Sequence, residues 1–285
     1  MIRIAVFADI HGKFLLPFKL VQYYQNITGQ KIDWILQCGD MGAFPEKSRM
    51  DKATLRHAQA DRDELGFMDQ FVTEKAEIAT FLNELNINML CVRGNHEDHL
   101  FLDELEQLAI QQQRASFSID AYKRVWVCRS GIPIILEKEG ETLSIVGVGR
   151  IGDQKGRIHP PFIQDYERKA LKQLMKKHQE FDVLLSHDKA SESQRGYGAE
   201  EISQLLNQVA FSYHFYGHTG EPYQCTLADN GITQSVKISE LEFDKKGKLS
   251  EGCMLILEKN NQNLSINTVP LKDIIHFMHS TWQFL

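Results

Sequence analysis

Three things are missing from this sequence: paired cysteines, long apolar runs and a surplus of positive charge. The five cysteines, Cys38, Cys91, Cys128, Cys225 and Cys253, include no Cys-x-x-Cys pair. An odd, scattered set argues against a disulfide framework and for a reducing, cytoplasmic setting. Cys38 and Cys91 each end an apolar run and read as buried strand thiols. No apolar run approaches the roughly 20 residues that a membrane-spanning helix needs. Met1 to Ala8 is a short run ended by Asp9, so no signal peptide is expected, and folded structure is expected from residue 2. Lys and Arg number 32 against 38 Asp and Glu, a formal charge of −6. A chain that tracks a nucleic-acid backbone carries a basic face, so non-specific nucleic-acid binding is disfavoured.

What is present is an ordinary globular composition, 42% hydrophobic and 25% charged over 285 residues. That is enough to bury a sizeable core. Histidine is the abundant exception, at eleven. It is the commonest metal ligand and the usual acid or base near neutral pH, so the positions of those eleven matter.

Hydrophobic patterning organises the chain. Ile2–Ala8, Ile32–Cys38 and Asn88–Val92 read as buried strands, with helices at Phe14–Gln25 and 74–86 between them. Strand–helix–strand–helix–strand is the signature of parallel crossover units. Val125–Val127, Pro133–Leu136 and Leu143–Val148 are close-set strands. Then follow a helix at 164–178, a strand at Phe181–Ser186, a helix at 199–209 and a strand at Tyr213–Tyr216. Residues 222–269 alternate strand and turn, with hairpin signals at Asp229-Asn230-Gly231 and Lys246-Gly247-Lys248. The expected fold is one domain over residues 1–285: a four-layer α/β/β/α sandwich of two mixed sheets flanked by helices. A charged helical insertion at about 44–70 is either a solvated excursion or a lid over the strand ends, where ligands collect. Its Arg56 and His57 are expected on the surface. Leu271, Ile274, Ile275, Met278 and Trp282 share a helical stripe. A C-terminal helix is expected there, packed on the domain or on a second copy.

Five polar motifs each follow an apolar strand: Asp9-Ile10-His11-Gly12, Gly39-Asp40, Gly94-Asn95-His96-Glu97, Ser186-His187-Asp188 and Gly217-His218-Thr219-Gly220. Carboxylates, imidazoles and an amide oxygen together suit Mn, Fe, Zn or Ni. One such motif would mean little, since a lone Asp at a strand end is usually a turn or helix cap.

In this order and spacing the motifs resemble the calcineurin-like metallophosphoesterase superfamily, over roughly residues 2–220. The resemblance implies a binuclear metal centre. Asp9, His11 and Asp40 would hold the first ion, and Asp40, Asn95, His187 and His218 the second, with Asp40 shared. His96 would contact the substrate phosphate and protonate the leaving oxygen after attack by a metal-bound hydroxide. Two divalent ions about 3.5–4 Å apart suit that chemistry because they neutralise phosphate oxygens and acidify a bridging water.

Two departures stand out. The superfamily motif ends Gly-His-x-His, but this chain has Gly220 at the last position, which would leave the first metal weaker or more labile. Glu221 and His214 are the substitutes within reach in sequence. Protein Ser/Thr phosphatases of the superfamily carry a further Asp-Arg-Gly that orients the catalytic His. Here the run is Gly39-Asp40-Met41-Gly42-Ala43-Phe44-Pro45, so that activity is disfavoured and Glu97 or Asp98 is expected to support His96. Gly147–Gly152, Pro160-Pro161 and Ser186–Asp188 are similar to the RNA-lariat-debranching branch, although Ile10 stands where that branch has Cys.

Arg150, Arg157 and Arg195 are candidates for bidentate phosphate contact, Arg150 foremost because it ends a strand between glycines. Tyr197 is a candidate for base stacking, and His159 is notable before Pro160-Pro161. His99, His178, His276 and His279 read as structural or surface residues. The expected function is metal-dependent hydrolysis of a phosphomonoester or phosphodiester, small or nucleotide-like, using one or two divalent transition-metal ions. The alternatives are a catalytically weak metal-site scaffold and a nucleic-acid processing phosphodiesterase.

Overall fold

The computed structural model describes residues 1–153, 155, 157–177, 179–191 and 198–285. In chain order the first half runs β1 (Ile2–Phe7), α1 (Leu15–Thr28), β2 (Trp34–Gln37), α2 (Lys52–Ala60), α3 (Gly66–Gln70), α4 (Ala76–Leu85), β3 (Asn88–Cys91), α5 (His99–Gln111), β4 (Ser116–Ser118) and β5 (Val125–Cys128). The second half runs β6 (Pro133–Lys138), β7 (Glu141–Val148), α6 (Asp165–Met175), β8 (Glu180–Ser186), α7 (Glu200–Gln208), β9 (Ala210–Tyr216), β10 (Gln224–Leu227), β11 (Gln234–Lys237), β12 (Leu255–Asn260) and β13 (Asn263–Thr268).

The strands form a seven-stranded sheet, β13-β12-β1-β2-β3-β5-β4, and a six-stranded one, β10-β11-β9-β8-β7-β6. β1, β2, β3 and β5 are parallel in the first. β7, β8, β9 and β11 are parallel in the second. The outer strands run antiparallel, so both sheets are mixed.

Period-two alternation decides which side chain goes where. In and just after β1, Ile4, Val6 and Ala8 face the other sheet and meet Ile145, Val183, Leu185 and Val236. Ala5 and Phe7 face outward, to a cluster with Leu16, Leu20, Leu82 and Leu102 from the covering helices. Beyond the second sheet, Val146, Val148 and Leu184 pack on Leu171 and Leu174 of α6 and Ile202 and Leu205 of α7. These three clusters separate four layers, helix, sheet, sheet and helix, as the patterning implied. Each buried aliphatic side chain contributes about 1.5–3 kcal/mol.

Three local expectations are corrected. The C-terminal stripe is not an α-helix: it makes short 3-10 turns at Leu271–Asp273 and Trp282–Phe284. His279 N–H donates to Gly247 O at 3.0 Å, and Trp282 Nε1 donates to Asp63 Oδ2 at 2.7 Å. Such tertiary partners outcompete a short helix that is marginal by itself. The segment packs on its own domain through Ile274, Phe277 and Trp282, while Ile275 is exposed. The turn at 246–248 forms, but the strands flanking a hairpin do not; that hairpin joins β12 to β13 instead. Finally, α5 follows the Gly94–Glu97 motif in a stretch where no element was expected. Its signals were the Asp98 cap, which accepts from Phe101 N–H at 3.1 Å, and the spacing of Leu102 and Ala109.

All five cysteines are free thiols, with Cys38 and Cys91 fully buried. No helix among the described residues is long and apolar enough to cross a membrane.

Candidate metal and phosphoester site

The ends of β1, β2, β3, β8 and β9 converge at one rim between the sheets, and the five motifs meet there. Abrupt turns bring the side chains together. Asp9, Asp40 and His218 sit at φ 49°, 50° and 66°, in the left-handed region. Non-glycine residues there carry strain of about 1–3 kcal/mol each. Backbone bonds hold them: Ile10 and His11 N–H both donate to Asp40 O, at 3.1 and 3.0 Å, and Gly12 N–H donates to Met41 O at 2.7 Å. Gly94 is required by close approach, because a Cβ there would lie 2.0 Å from Asp40 N.

Two groups of side chains place ligand atoms within 4.8 Å of one another, Asp9–His11–Asp40 and Asp40–His187–His218. Asp40 belongs to both. Asn95 joins the second group, with Oδ1 3.0 Å from His187 Nε2. His187 is fully buried and both of its ring nitrogens face oxygens. Nδ1 lies 2.8 Å from Cys38 O, while Nε2 lies 3.2 Å from Asp40 Oδ1 as well as beside Asn95. An Nδ1–H donated to the Cys38 carbonyl leaves the Nε2 lone pair aimed at two oxygen acceptors. That arrangement calls for a cation at Nε2, either a proton or a metal ion. The donor set therefore fits a divalent metal.

The electrostatics agree. Burial favours a neutral His187, but the carboxylates of Asp40 and Asp9 outweigh it and raise its pKa. Burial works to raise Asp40 too, but His187 and His11 hold it well below the usual carboxylate range. Asp9 is raised, by burial first. His218 is lowered to about 3 by burial and by His187, so its imidazole is neutral and available as a ligand.

His96 stands at the rim, its ring 5.7 Å from that of His11. Its partner is neither Glu97 nor Asp98. The Glu97 carboxylate accepts from Met41, Ala43 and Gly94 N–H and braces the loops. Asp98 caps α5 and pairs with Arg49 at 2.8 Å. The carboxylate beside His96 is Asp51, with Oδ2 3.1 Å from Nδ1. Asp51 comes from the charged insertion, where it also caps α2 through Ala53 and Thr54 N–H. Burial acts to lower the His96 pKa, but the Asp51 bond and the Asp40 charge raise it to about 9. Residues 44–70 thus reach the site, with Arg56 and His57 on the exposed side. In sequence, Asp51 was legible as a helix cap but not as a partner of a histidine 45 positions away.

Other expectations change. Arg150 does not face a substrate. It is 1% exposed and pairs with Asp103 at 2.7 Å and Glu167 at 3.1 Å. Arg93 joins the same network through Asp103 and Glu106, both at 2.6 Å. A buried guanidinium must be neutralised where it lies, so Arg150 is a structural tie. Arg157 is exposed at the surface, paired with Asp153. His159 is exposed. Arg195, Tyr197 and His178 lie outside the described residues. His214 points away from the centre, Nε2 2.7 Å from Ser186 Oγ, and Glu221 accepts from Thr219 Oγ1 at 3.1 Å. Instead, Glu64 and Glu242 gather with His11 within 4.8 Å, and Lys13 Nζ lies 3.7 Å from Glu242.

The sequence model of the calcineurin-like phosphoesterase family matches residues 2–222. The chain belongs to that family, hydrolases that act on phosphate esters with a dinuclear metal centre. Among solved structures, TT1561 of Thermus thermophilus aligns with 95% of this chain and 100% of its own, at 15% identity and a TM-score of 0.52. A predicted phosphoesterase of Streptococcus pneumoniae aligns over 95% and 90% at 11% identity and a TM-score of 0.34. Vps29 of Entamoeba histolytica, solved with zinc, aligns over 95% and 99% at 10% identity and a TM-score of 0.30. No match was found among curated proteins.

Proposed function

We propose that this chain hydrolyses a small or nucleotide-like phosphoester, with His96 as the general acid and Asp51 as its positioning residue. The observation that carries the reading is the His96–Asp51 pair at 3.1 Å, set beside two metal-capable groups that share Asp40. Asp9, His11 and Asp40 are the ligands proposed for one ion, and Asp40, Asn95, His187 and His218 for the other. Bound divalent ions supply charge to neutralise the phosphate oxygens and an acidified water. The protein supplies position and the proton. Asp51 accepts Nδ1–H of His96, which fixes the tautomer and leaves Nε2 to donate to the departing oxygen. A pKa near 9 keeps that proton in place at neutral pH, and a positioned acid contributes about 10²–10⁴-fold. Mn, Fe, Zn and Ni all suit the mixed donors.

The test is metal content per chain measured beside turnover of generic phosphomonoesters and phosphodiesters, with Mn, Fe, Zn, Ni or Mg added. Turnover that requires added metal and falls in His96→Ala at unchanged metal content is the expected result. Well-folded, metal-loaded protein that turns over neither ester class overturns the proposal and favours the binding-scaffold reading that Gly220 suggests.

A further inference from the structure

The centre is uneven, and the unevenness is centred on residue 220. A Cβ built on Gly220 meets one group within 4 Å, Oε1 of Glu240 at 3.7 Å. That radius is comparable to the reach from an imidazole's Cβ to its far nitrogen. An oxygen donor therefore stands at about the distance where a histidine at 220 would carry its nitrogen.

The chain holds Glu240 there. After β11, Ile238 N–H donates to Tyr216 O at 3.0 Å and Leu241 N–H donates to Ala8 O at 2.9 Å. These bonds lay the segment against the end of β1, directly before Asp9. Leu241 is fully buried, whereas Glu240 and Glu242 on either side of it are half-buried. Glu242 reaches within 4.8 Å of His11, and the Asp40 and Asp9 carboxylates are close enough to Glu240 for their charges to act on one another. The two glutamates differ in their company. Glu242 lies 3.7 Å from the Lys13 ammonium. The buried Lys237 ammonium donates to Ile238 O at 2.7 Å and acts on Glu240 through its charge, but among the described residues no direct ion pair to Glu240 forms.

We infer that Glu240 replaces the missing imidazole as the fourth protein ligand of the first metal, completing Asp9, His11 and Asp40. The inference rests on the two-metal reading proposed above. It has a consequence for the metal. Three carboxylates and one imidazole form a hard, triply anionic set that suits Mn or Mg, whereas Asp40, Asn95, His187 and His218 offer two imidazoles and suit Zn, Fe or Ni. The two positions differ in selectivity, and a mixed-metal centre is the result.

The experiment strips the full chain with chelator and titrates it with Mn²⁺ alone, counting bound ions and recording the electron paramagnetic resonance spectrum. Wild type is expected to bind two ions with an exchange-coupled signal. Glu240→Gln, near-isosteric and half-exposed, is expected to weaken one ion at least tenfold and to lose the coupling while keeping the other ion. Glu242→Gln is expected to keep both. Adding Gly220→His to Glu240→Gln is expected to restore the lost ion and shift its preference toward Zn²⁺. The inference is overturned if Glu240→Gln binds Mn²⁺ as wild type does, whether wild type takes one ion or two, or if Glu242→Gln alone loses the ion. Circular dichroism and melting curves verify that each variant folds. The outcomes separate the two proposals. Two ions without turnover remove the function and leave the ligand, whereas turnover with unchanged loading in Glu240→Gln removes the ligand and leaves the function.

Discussion

The two flanks of the candidate centre are built from different material. On the side of the second sheet stand His187, fully buried and tied to the Cys38 carbonyl, and His218, whose N–H donates to both Asp9 oxygens at 3.2 Å. On the side of the first sheet stands His11, part-exposed, among Glu64, Glu242 and the Lys13 ammonium. One flank is dry and nitrogen-rich, and folding alone sets it. The other is acidic and more open, and it draws on an insertion and on a late segment of the chain. The contrast shows how one fold can place Asp40 in two candidate ligand groups while surrounding one of them with more carboxylates than the other.

The strongest way to break this comparison is to remove what the flanks share. Asp40→Asn is expected to empty both positions and to cost about 10²–10³-fold or more in kcat. Metal analysis that finds either position still filled at wild-type affinity would contradict the shared role. Next comes His96→Ala, expected to cost about 10²–10⁴-fold with both metals retained. Asp51→Asn keeps a good helix cap, so its expected loss of about tenfold is assigned to the lost support of His96. A wild-type kcat in Asp51→Asn would end that assignment.

Beneath the second-sheet flank, Arg150→Ala leaves Glu167 buried without its cation. A loss of about 3–5 kcal/mol in urea unfolding is expected, with KM unchanged in protein that remains folded. A raised KM at wild-type stability would return Arg150 to the substrate. A pH-dependent effect belongs to His214, whose pKa burial lowers to about 3. The folded state keeps this imidazole neutral while the unfolded chain protonates it below about 6.5. Stability from this group is therefore full above pH 6.5 and lost as pH falls from 6.5 toward 3, by at most about 1.4 kcal/mol per pH unit. Denaturant midpoints at pH 7 and pH 5 should lie closer together in His214→Gln than in wild type. An unchanged gap would show that His214 does not set that slope.

Much of the architecture was legible because it repeats simple periods. Ile2–Phe7 and Phe181–Ser186 alternate side chains between two apolar faces, and the crossover helices carry one apolar stripe each. The C-terminal stripe misled for the converse reason. Leu271, Ile274, Met278 and Trp282 have helical spacing, but the 244–248 turn and Asp63 claim the segment's donors. Arg150 misled because it ends a strand between glycines, as the candidate ligands do, and only packing revealed the carboxylates of Asp103 and Glu167 around it.

By itself the sequence determined which strands end in carboxylate, amide and imidazole side chains and in what order they come. Those are properties of short segments, set by strand periodicity and by the glycines that follow. Tertiary structure alone decided that Asp51 supports His96, that Arg150 is internal, and that Glu240 stands near the missing side chain of residue 220. Each of these joins positions far apart in the chain, and such pairings depend on how whole layers pack, which no local period encodes.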